Sequence, residues 1–438
     1  MRLGSQMIQC RSSLAFLVVC VVVLGGYLPV TRAFGQWRQW GGPNRDFAVD
    51  TSGLADSWPD GGPKKLWYRT LGTGYSSIVV DNGVLYTMYR TGRKDVHEYT
   101  IALDAATGKT IWQKRNRAAI PPETPDHGKE YTGPNATPLI VGDRLYTIGR
   151  NATMHCFKKT DGAVLWKHEL HKDFGAQLEP CGYSCSPLAY GDTIIVPLGR
   201  GAGDTSEGNS LIAFDRETGS VSWRSQTFRL DHSSPILITL GGQDQYVLCT
   251  KDGAFGIDPR NGALLWHHAI PEETDEFIGL YANPVWNGAD ALQFSTINAN
   301  YGIRLTRADG KTNVERAWYT RKVPMGMGTP ALIDGMVVGA KRTWDGAQNV
   351  LAAIDIRTGK RVWVKRALPG AILVGDAEKL VFLNLDGQLG LLTATREGLT
   401  THAQCQVTER WSWTAPTLVG TTLYVRDEKH IMALDLSR

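Results

Sequence analysis

The sequence predicts an all-β fold: a β-propeller of four-stranded antiparallel blades arranged in a ring. Three observations carry that prediction. The unit Ala102-Leu-Asp-Ala-Ala-Thr-Gly-Lys-Thr-Ile-Trp112 returns as Ala213-Phe-Asp-Arg-Glu-Thr-Gly-Ser-Val-Ser-Trp223 and as Ala353-Ile-Asp-Ile-Arg-Thr-Gly-Lys-Arg-Val-Trp363, and looser copies end at Trp166 and Trp266. The period is long: successive tryptophans from Trp112 through Trp318 to Trp411 are spaced by 54, 57, 43, 52, 45 and 48 residues, near or above the ~40–50 residues of one propeller blade. The units are rich in β-branched residues and glycine hairpins, and they lack the long 3.6-residue apolar stripes of helical repeats.

Each part of the unit has a mechanical role. Alternating apolar residues such as Ile101, Leu103 and Ile111 suit strands with one buried face. Asp104 can fold its carboxylate onto nearby backbone N–H groups and Gly108 can take a positive φ, so the two close a hairpin. Asp215 with Gly219 and Asp355 with Gly359 repeat the pair. Trp112, Trp166, Trp223, Trp266 and Trp363 each follow a glycine by four residues and add a large apolar face with an N–H that needs a partner. A tryptophan recurring once per unit, with no metal ligand or nucleophile repeating beside it, reads as packing.

In chain order, residues 1–35 are a targeting segment. Arg2 and Arg11 precede an apolar run from Leu14 to Tyr27, and Ala33 and Gly35 follow in an Ala-x-Gly arrangement, so a cleaved signal peptide is expected, cut after Gly35 or after Ala33. The run is shorter than the ~20 residues a spanning helix needs, so no stable membrane span is expected once the signal is removed. Val19 precedes Cys20 where a lipid-anchored chain carries a small residue, so a lipoprotein is not expected.

Residues 36–63, rich in Trp, Gly and Pro, read as an irregular segment pinned to the propeller surface by Trp37, Trp40 and Trp58. The propeller itself is expected over 64–438. Lys64 to Arg69 look like the last strand of a blade that has lost its first three, while 414–425 and 431–436 look like three strands with no fourth. Joining them closes the ring and removes an exposed edge. Seven further blades fall at approximately 76–115, 135–170, 185–225, 233–270, 281–320, 328–367 and 371–410. Their inner strands open from similar tripeptides: Ala136-Thr-Pro138, Cys185-Ser-Pro187, Ser233-Ser-Pro235, Ala282-Asn-Pro284, Gly328-Thr-Pro330 and, in the closing blade, Thr414-Ala-Pro416. Proline at a strand's first residue loses no ladder bond. The fifth and seventh blades have degenerate hairpins, so eight blades are expected, with seven as the alternative.

Composition narrows the function. The 438 residues carry a formal charge of +4, and the first 35 hold three arginines and no acid, leaving +1 for the remainder. Near-neutrality argues against a nucleic-acid partner. Five cysteines remain beyond the signal: Cys156, Cys181, Cys185, Cys249 and Cys405. Cys181 and Cys185 can bridge only if the residues between them turn, because an extended strand would hold them ~13 Å apart. The other three read as small buried hydrophobes. Cysteine and histidine spacing suggests no metal site, and no nucleophile elbow, phosphate loop or His-Glu-x-x-His occurs.

The recurring Ala-x-Asp-x-x-Thr-Gly-x-x-x-Trp unit resembles the repeat of the pyrroloquinoline-quinone-type propeller family, over nearly all of residues 64–438. The resemblance is to a family that includes quinone-dependent alcohol dehydrogenases, the BamB-type scaffold of outer-membrane protein assembly and many exported propellers. Trp40-Gly-Gly-Pro-Asn-Arg45, Gly74-Tyr-Ser-Ser77 and Lys172-Asp-Phe-Gly175 with Gly182-Tyr-Ser184 resemble that last group. Two features depart from the other two: the dehydrogenases carry an adjacent cysteine pair, absent here, and the BamB type carries a lipid signal, also absent here.

In a propeller, inner-strand starts and second-strand ends meet at one mouth of the central channel, a concave place that ligands favour. The starts supply Tyr75, Tyr183, His232, Tyr281 and Trp413; the ends supply Arg90, Arg150, Arg200, Lys251, Asn298, Lys341 and Arg426. Recurring cations imply a locally positive mouth for an anionic ligand: a tricarboxylate quinone, an acidic glycan or an acidic peptide terminus. Asp231 and His232, adjacent on a strand, are expected to point to opposite faces and not to touch. Residues 201–208, rich in glycine, are expected to form a flexible lid. The expected function is an exported, non-catalytic propeller, periplasmic or secreted and monomeric, acting as a binding or assembly scaffold for an envelope protein, peptide or glycan. The alternative that the resemblance implies is an alcohol or sugar dehydrogenase using pyrroloquinoline quinone with Ca²⁺.

Overall fold

A computed structural model describes residues 1, 36–92, 96–118, 133–179, 181–200, 208–270, 279–326, 328–341, 350–366, 370–375 and 379–438; residues 2–35, where a signal peptide is expected, and most of the 201–208 loop lie outside them. Within these residues the chain forms eight antiparallel blades of four strands each. Blade 1 comprises Val79–Asp81, Val84–Thr91, His97–Asp104 and Thr110–Arg117. Blades 2 to 7 follow within 139–169, 188–225, 236–268, 285–320, 331–366 and 370–406. Blade 8 takes Thr417–Val419, Thr422–Arg426 and His430–Asp435 from the C-terminal end and Lys64–Thr70 from the N-terminal side. Eight is therefore the count, and the expected closure of the ring is observed.

Burial falls from the inside of each blade outward. Val79–Asp81 is buried throughout, whereas Thr110–Arg117 alternates, with Trp112 buried between exposed Ile111 and Gln113. The inner strands are short apolar runs because both of their faces pack; the outer strands alternate because one face meets water.

The repeated tryptophan joins neighbouring blades. Trp112 donates from Nε1 to the Lys159 carbonyl of blade 2 at 2.8 Å. Trp67 reaches Ala105, Trp166 reaches Arg216, Trp318 reaches Ile356 and Trp363 reaches Thr395 in the same way. Each acceptor lies three residues before the glycine of the next hairpin, and for all but Trp363 the indole lies on that glycine. A Cβ on Gly108 would stand 2.7 Å from Trp67, on Gly162 2.6 Å from Trp112, and on Gly359 2.5 Å from Trp318. Gly108 has φ 69°, so both the backbone and the stacked ring demand glycine there. Asp104 Oδ1 accepts the Thr107 backbone N–H at 2.8 Å and the Thr107 hydroxyl at 2.6 Å, which fixes the turn that carries the glycine.

Four joints depart from the pattern: Trp223 lies on Gly262 with no partner for its Nε1 among the described residues, Trp363 keeps the hydrogen bond without the stacked glycine, and the joints after blades 4 and 7 are built differently. Trp266 turns its N–H to Gln245 of its own blade at 2.7 Å. Trp411, which continues the spacing in sequence, lies beyond the last strand of blade 7 and is 42% exposed. The outer strand of blade 7 instead presents Cys405 to Gly62.

The segment 36–58 is not a surface appendage, as the sequence reading expected. Innermost strands pair on one side only, so their other edge faces the channel, and this segment uses those edges. Trp37 bridges to Val80 of blade 1, the Arg38 carbonyl accepts Ile140 N–H of blade 2, and Ala48–Val49 runs parallel to Val374 and Gly375 of blade 7. Arg45 reaches the carbonyls of Pro187 and Pro235 in blades 3 and 4. The segment therefore crosses the central channel, with Trp37, Arg45 and Phe47 all buried. Its glycines and prolines let it follow a path that a regular strand could not.

Cys181 and Cys185 form no disulfide. Cys185 is buried, with its thiol on the Asp231 and Ser233 carbonyls.

Replacing Trp112 by Ala is expected to cost about 3–5 kcal/mol, as for a large buried aromatic, and Trp411→Ala about 1 kcal/mol or less. Urea unfolding of the two variants against the parent distinguishes them; equal losses would deny the blade-joining role of the indole.

Candidate functional site

The structure sorts the residues expected at the channel mouth into three groups. Tyr183 and Arg426 are sealed inside. The Tyr183 hydroxyl donates to the Pro197 carbonyl at 2.7 Å, and both residues are at most 2% exposed. Arg426 Nη1 donates to the Ser76 carbonyl, Thr87 Oγ1 and the Met88 carbonyl, linking blade 8 to blade 1. Burial lowers its pKa to about 10, and it remains a cation at neutral pH. Arg426 thus joins two blades, while the Tyr183 hydroxyl bonds within blade 3.

The second group is tied down close by. Arg90 Nη1 donates to the Gly92 carbonyl at 3.1 Å. Arg150 is buried, and its backbone N–H donates to Glu98 at 3.0 Å. Lys251 pairs with Glu179 at 2.9 Å. Arg200, Asn298 and Lys341 are half-buried at the ends they were assigned to. In this group Lys251 is offset by Glu179 of the connection between blades 2 and 3, while Arg90 bonds a carbonyl of its own blade.

The third group is aromatic. Tyr75 stands edge-on to Trp413 at 6.1 Å, and Trp413 edge-on to Trp411 at 6.0 Å. Across blades 4 and 5, His232 stacks on Tyr281 at 5.1 Å. The His232 Nδ1 lies 2.8 Å from Ser184 Oγ, and its Nε2 lies 3.7 Å from Asp231 Oδ1. Asp231 and His232 therefore do approach each other. They sit in a bend ahead of Ile236–Leu240, not in an extended strand, so strand alternation does not apply.

That distance is too long for a hydrogen bond. The Asp231 oxygens accept the backbone N–H groups of His232 and Leu280 instead. Burial raises the Asp231 pKa and lowers that of His232, with Asp231 opposing the latter. At neutral pH the imidazole is uncharged, and Ser184, His232 and Asp231 form no continuous proton relay.

Sequence reasoning missed a second concave site. Between the outer parts of blades 1 and 2 lies a cleft of about 530 Å³. Arg115 and Arg117 line one wall; Lys167, with Lys172 of the short helix Leu170–Phe174, lines the other. Four cations face one surface carboxylate, Glu169, which lies 3.1 Å from Lys167 and 3.9 Å from Lys172. His155 at the base is held neutral, its pKa lowered to about 4 by burial, with Lys167 adding to the shift. Deeper still is Glu98, fully enclosed, with its pKa raised to about 7 by burial against the opposing pull of the Arg150 backbone N–H. The only sequence signal was the run Lys114-Arg115-Asn116-Arg117; its partner wall lies some fifty residues away in the next blade.

Among the described residues, no group of three or more His, Cys, Asp or Glu side chains is arranged to hold a metal ion. The donors expected to flank a quinone include Tyr183 and Arg426, both sealed. The mouth as described does not fit a Ca²⁺-bound quinone.

The profile of the family described as outer membrane protein assembly factor BamB matches residues 96–365. The chain belongs to that family. BamB from Moraxella catarrhalis is similar in structure, with a TM-score of 0.54 and 15% identity over 85% of this chain and 97% of that one. A quinohemoprotein alcohol dehydrogenase from Pseudomonas putida HK5 is equally similar, with a TM-score of 0.54 and 12% identity over 92% of this chain and 80% of that one. At such identities both likenesses speak to the propeller fold alone. No curated protein matches the sequence. Among the described residues no helix is long and apolar enough to cross a membrane.

Glu98 generates a pH prediction. Its folded pKa of about 7 lies above the ordinary 4.5, so between those values the folded state holds a proton that the unfolded chain has lost, and stability falls as pH rises through that window. Glu98→Gln keeps an acceptor for the Arg150 N–H and cannot ionise. It is expected to match the parent at pH 4 and exceed it at pH 8 by on the order of 1–3 kcal/mol. Urea unfolding at both pH values checks this; a gain at pH 4 equal to that at pH 8 would refute it.

Proposed function

We propose that this chain is an exported, non-catalytic propeller of the cell envelope, and that it acts as a binding scaffold for an acidic, extended peptide segment of an envelope protein. The observation that carries the reading is the excess charge of the cleft between blades 1 and 2, where Arg115, Arg117, Lys167 and Lys172 face Glu169 alone at the surface. Charge of one sign in a walled cleft attracts the opposite sign. The walls are outer strands, Thr110–Arg117 and Val164–Glu169, each paired on one side only. An extended peptide can add to such an edge through its backbone while its carboxylates meet the cations. Membership of the BamB family supports an envelope location and an assembly role. The partner's identity as an acidic peptide rests on the cleft.

The dehydrogenase alternative is supported by fold likeness, which does not by itself transfer an activity. The donor set at the mouth gives it no further support.

A labelled Glu-rich decapeptide, followed by fluorescence anisotropy, tests the proposal. Binding is expected to weaken steeply as salt rises from 50 to 300 mM. Each exposed charge pair contributes about 0.2–1 kcal/mol, so the double variant Arg115→Glu/Arg117→Glu, which also adds repulsion, is expected to weaken binding by roughly tenfold or more. Binding unaffected by salt and by the double variant would overturn the assignment. Saturable quenching of tryptophan fluorescence by pyrroloquinoline quinone with Ca²⁺, without peptide binding, would favour the dehydrogenase reading instead.

A further inference from the structure

Arg45 is a cation without a counter-charge, buried in the central channel. It is 3% exposed. Nε donates to the Pro235 carbonyl at 2.7 Å, and Nη1 donates to the Pro187 carbonyl at 3.1 Å and to Gln39 Oε1 at 3.2 Å. Nη2 is buried and has no partner. None of the three acceptors is charged. Burial lowers the Arg45 pKa to about 10, opposed by the nearby Tyr246 phenol and by no carboxylate, so the guanidinium is still a cation at neutral pH. A buried charge of this kind normally has a partner of opposite sign, because desolvation is otherwise uncompensated. The backbone also goes out of its way to place it: Arg45 has φ 61° and Phe47 φ 59°, in the left-handed region that side-chain-bearing residues rarely adopt.

The two prolines that Arg45 touches belong to the tripeptides that open the inner strands. The middle residues of those tripeptides form an arc around the channel. Thr137 N–H donates to Ser186 Oγ at 3.0 Å, Ser186 N–H to Ser234 Oγ at 2.9 Å, and Ser234 N–H to Asn283 Oδ1 at 3.1 Å. These bonds use up acceptors and leave donors. The Thr137 hydroxyl and the Asn283 amide nitrogen are buried without partners, as is the hydroxyl of Ser77, which holds the equivalent position in blade 1. All five arc residues are at most 3% exposed.

We propose that the channel binds a small monovalent anion, a halide or an ion of similar size, held by Arg45 Nη2 beside the arc. The anion would supply the missing negative charge and an acceptor for Arg45 Nη2, which has none among the described residues. It would also tie the crossing segment 36–58 to the inner strands, so anion binding and closure of the channel are coupled. The site is separate from the basic cleft on the rim of blades 1 and 2 and does not depend on that reading.

The test uses the full mature protein freed of halide by dialysis into gluconate. Bromide replacing gluconate at constant ionic strength is expected to raise the melting temperature saturably, since a ligand that binds only the folded state stabilises it. Arg45→Gln is expected to raise the half-saturating bromide concentration by about tenfold or more. Crystals of the unsubstituted protein grown in bromide are expected to show an anomalous peak within hydrogen-bonding distance of Arg45 Nη2, a measurement that stands even if the variant does not fold. Water alone at that position in bromide crystals would overturn the proposal. So would a bromide effect on melting that Arg45→Gln leaves unchanged.

Discussion

The contact on which the rest of the structure depends is the indole of one blade lying on the hairpin glycine of the next. A four-stranded sheet cannot bury both faces alone, so each blade is stable only against its neighbours. Trp67, Trp112, Trp166 and Trp318 set the distance and angle between blades by one stacked face and one hydrogen bond each, and Trp363 by the hydrogen bond. The glycine is needed because an added Cβ would occupy the space of the ring. The aspartate–threonine turn is needed because it delivers that glycine at positive φ. One small motif thus couples local turn chemistry to the global angle of the ring.

Where the motif lapses, other contacts take over. At the joint from blade 4 to blade 5, Trp266 bonds within its own blade to Gln245, and Gln245 in turn donates to Thr312 of blade 5. At blades 7 and 8, Cys405 lies against Gly62, and Lys379 donates to the Leu54 carbonyl and pairs with Asp56. Between blades 8 and 1 the motif holds through Trp67, and Arg426 adds to it by donating to three groups of blade 1. The crossing segment 36–58 adds a further set of ties, touching blades 1, 2, 3, 4 and 7 from inside.

The same geometry explains why the mouth and the rim differ in charge. At the mouth, loops from adjacent blades converge, and carbonyls and carboxylates such as Glu179 come within reach of the cations. At the rim, blades diverge, and outer-strand cations have few groups to meet. Arg115 and Arg117 remain exposed on one wall of a cleft whose other wall is also cationic. A charged residue's availability is therefore set by its radial position in the propeller as much as by its identity.

The sequence by itself determined the repeat, the eight blades, their bounds to within a few residues and the closing of the ring by the strand that begins at Lys64. Those features rest on turn chemistry and alternation, which act over a few residues and recur often enough to be read. Only the tertiary structure decided the path of residues 36–58, the fate of Tyr183 and Arg426, the approach of Asp231 to His232 and the basic cleft. Each of these depends on groups brought together from different blades, often fifty to several hundred residues apart in sequence, and no local pattern records such a meeting. Arg45 shows the difference most plainly. In sequence it is one arginine in a Gly- and Pro-rich stretch, and only the closed ring makes it a buried cation held by carbonyls of blades 3 and 4.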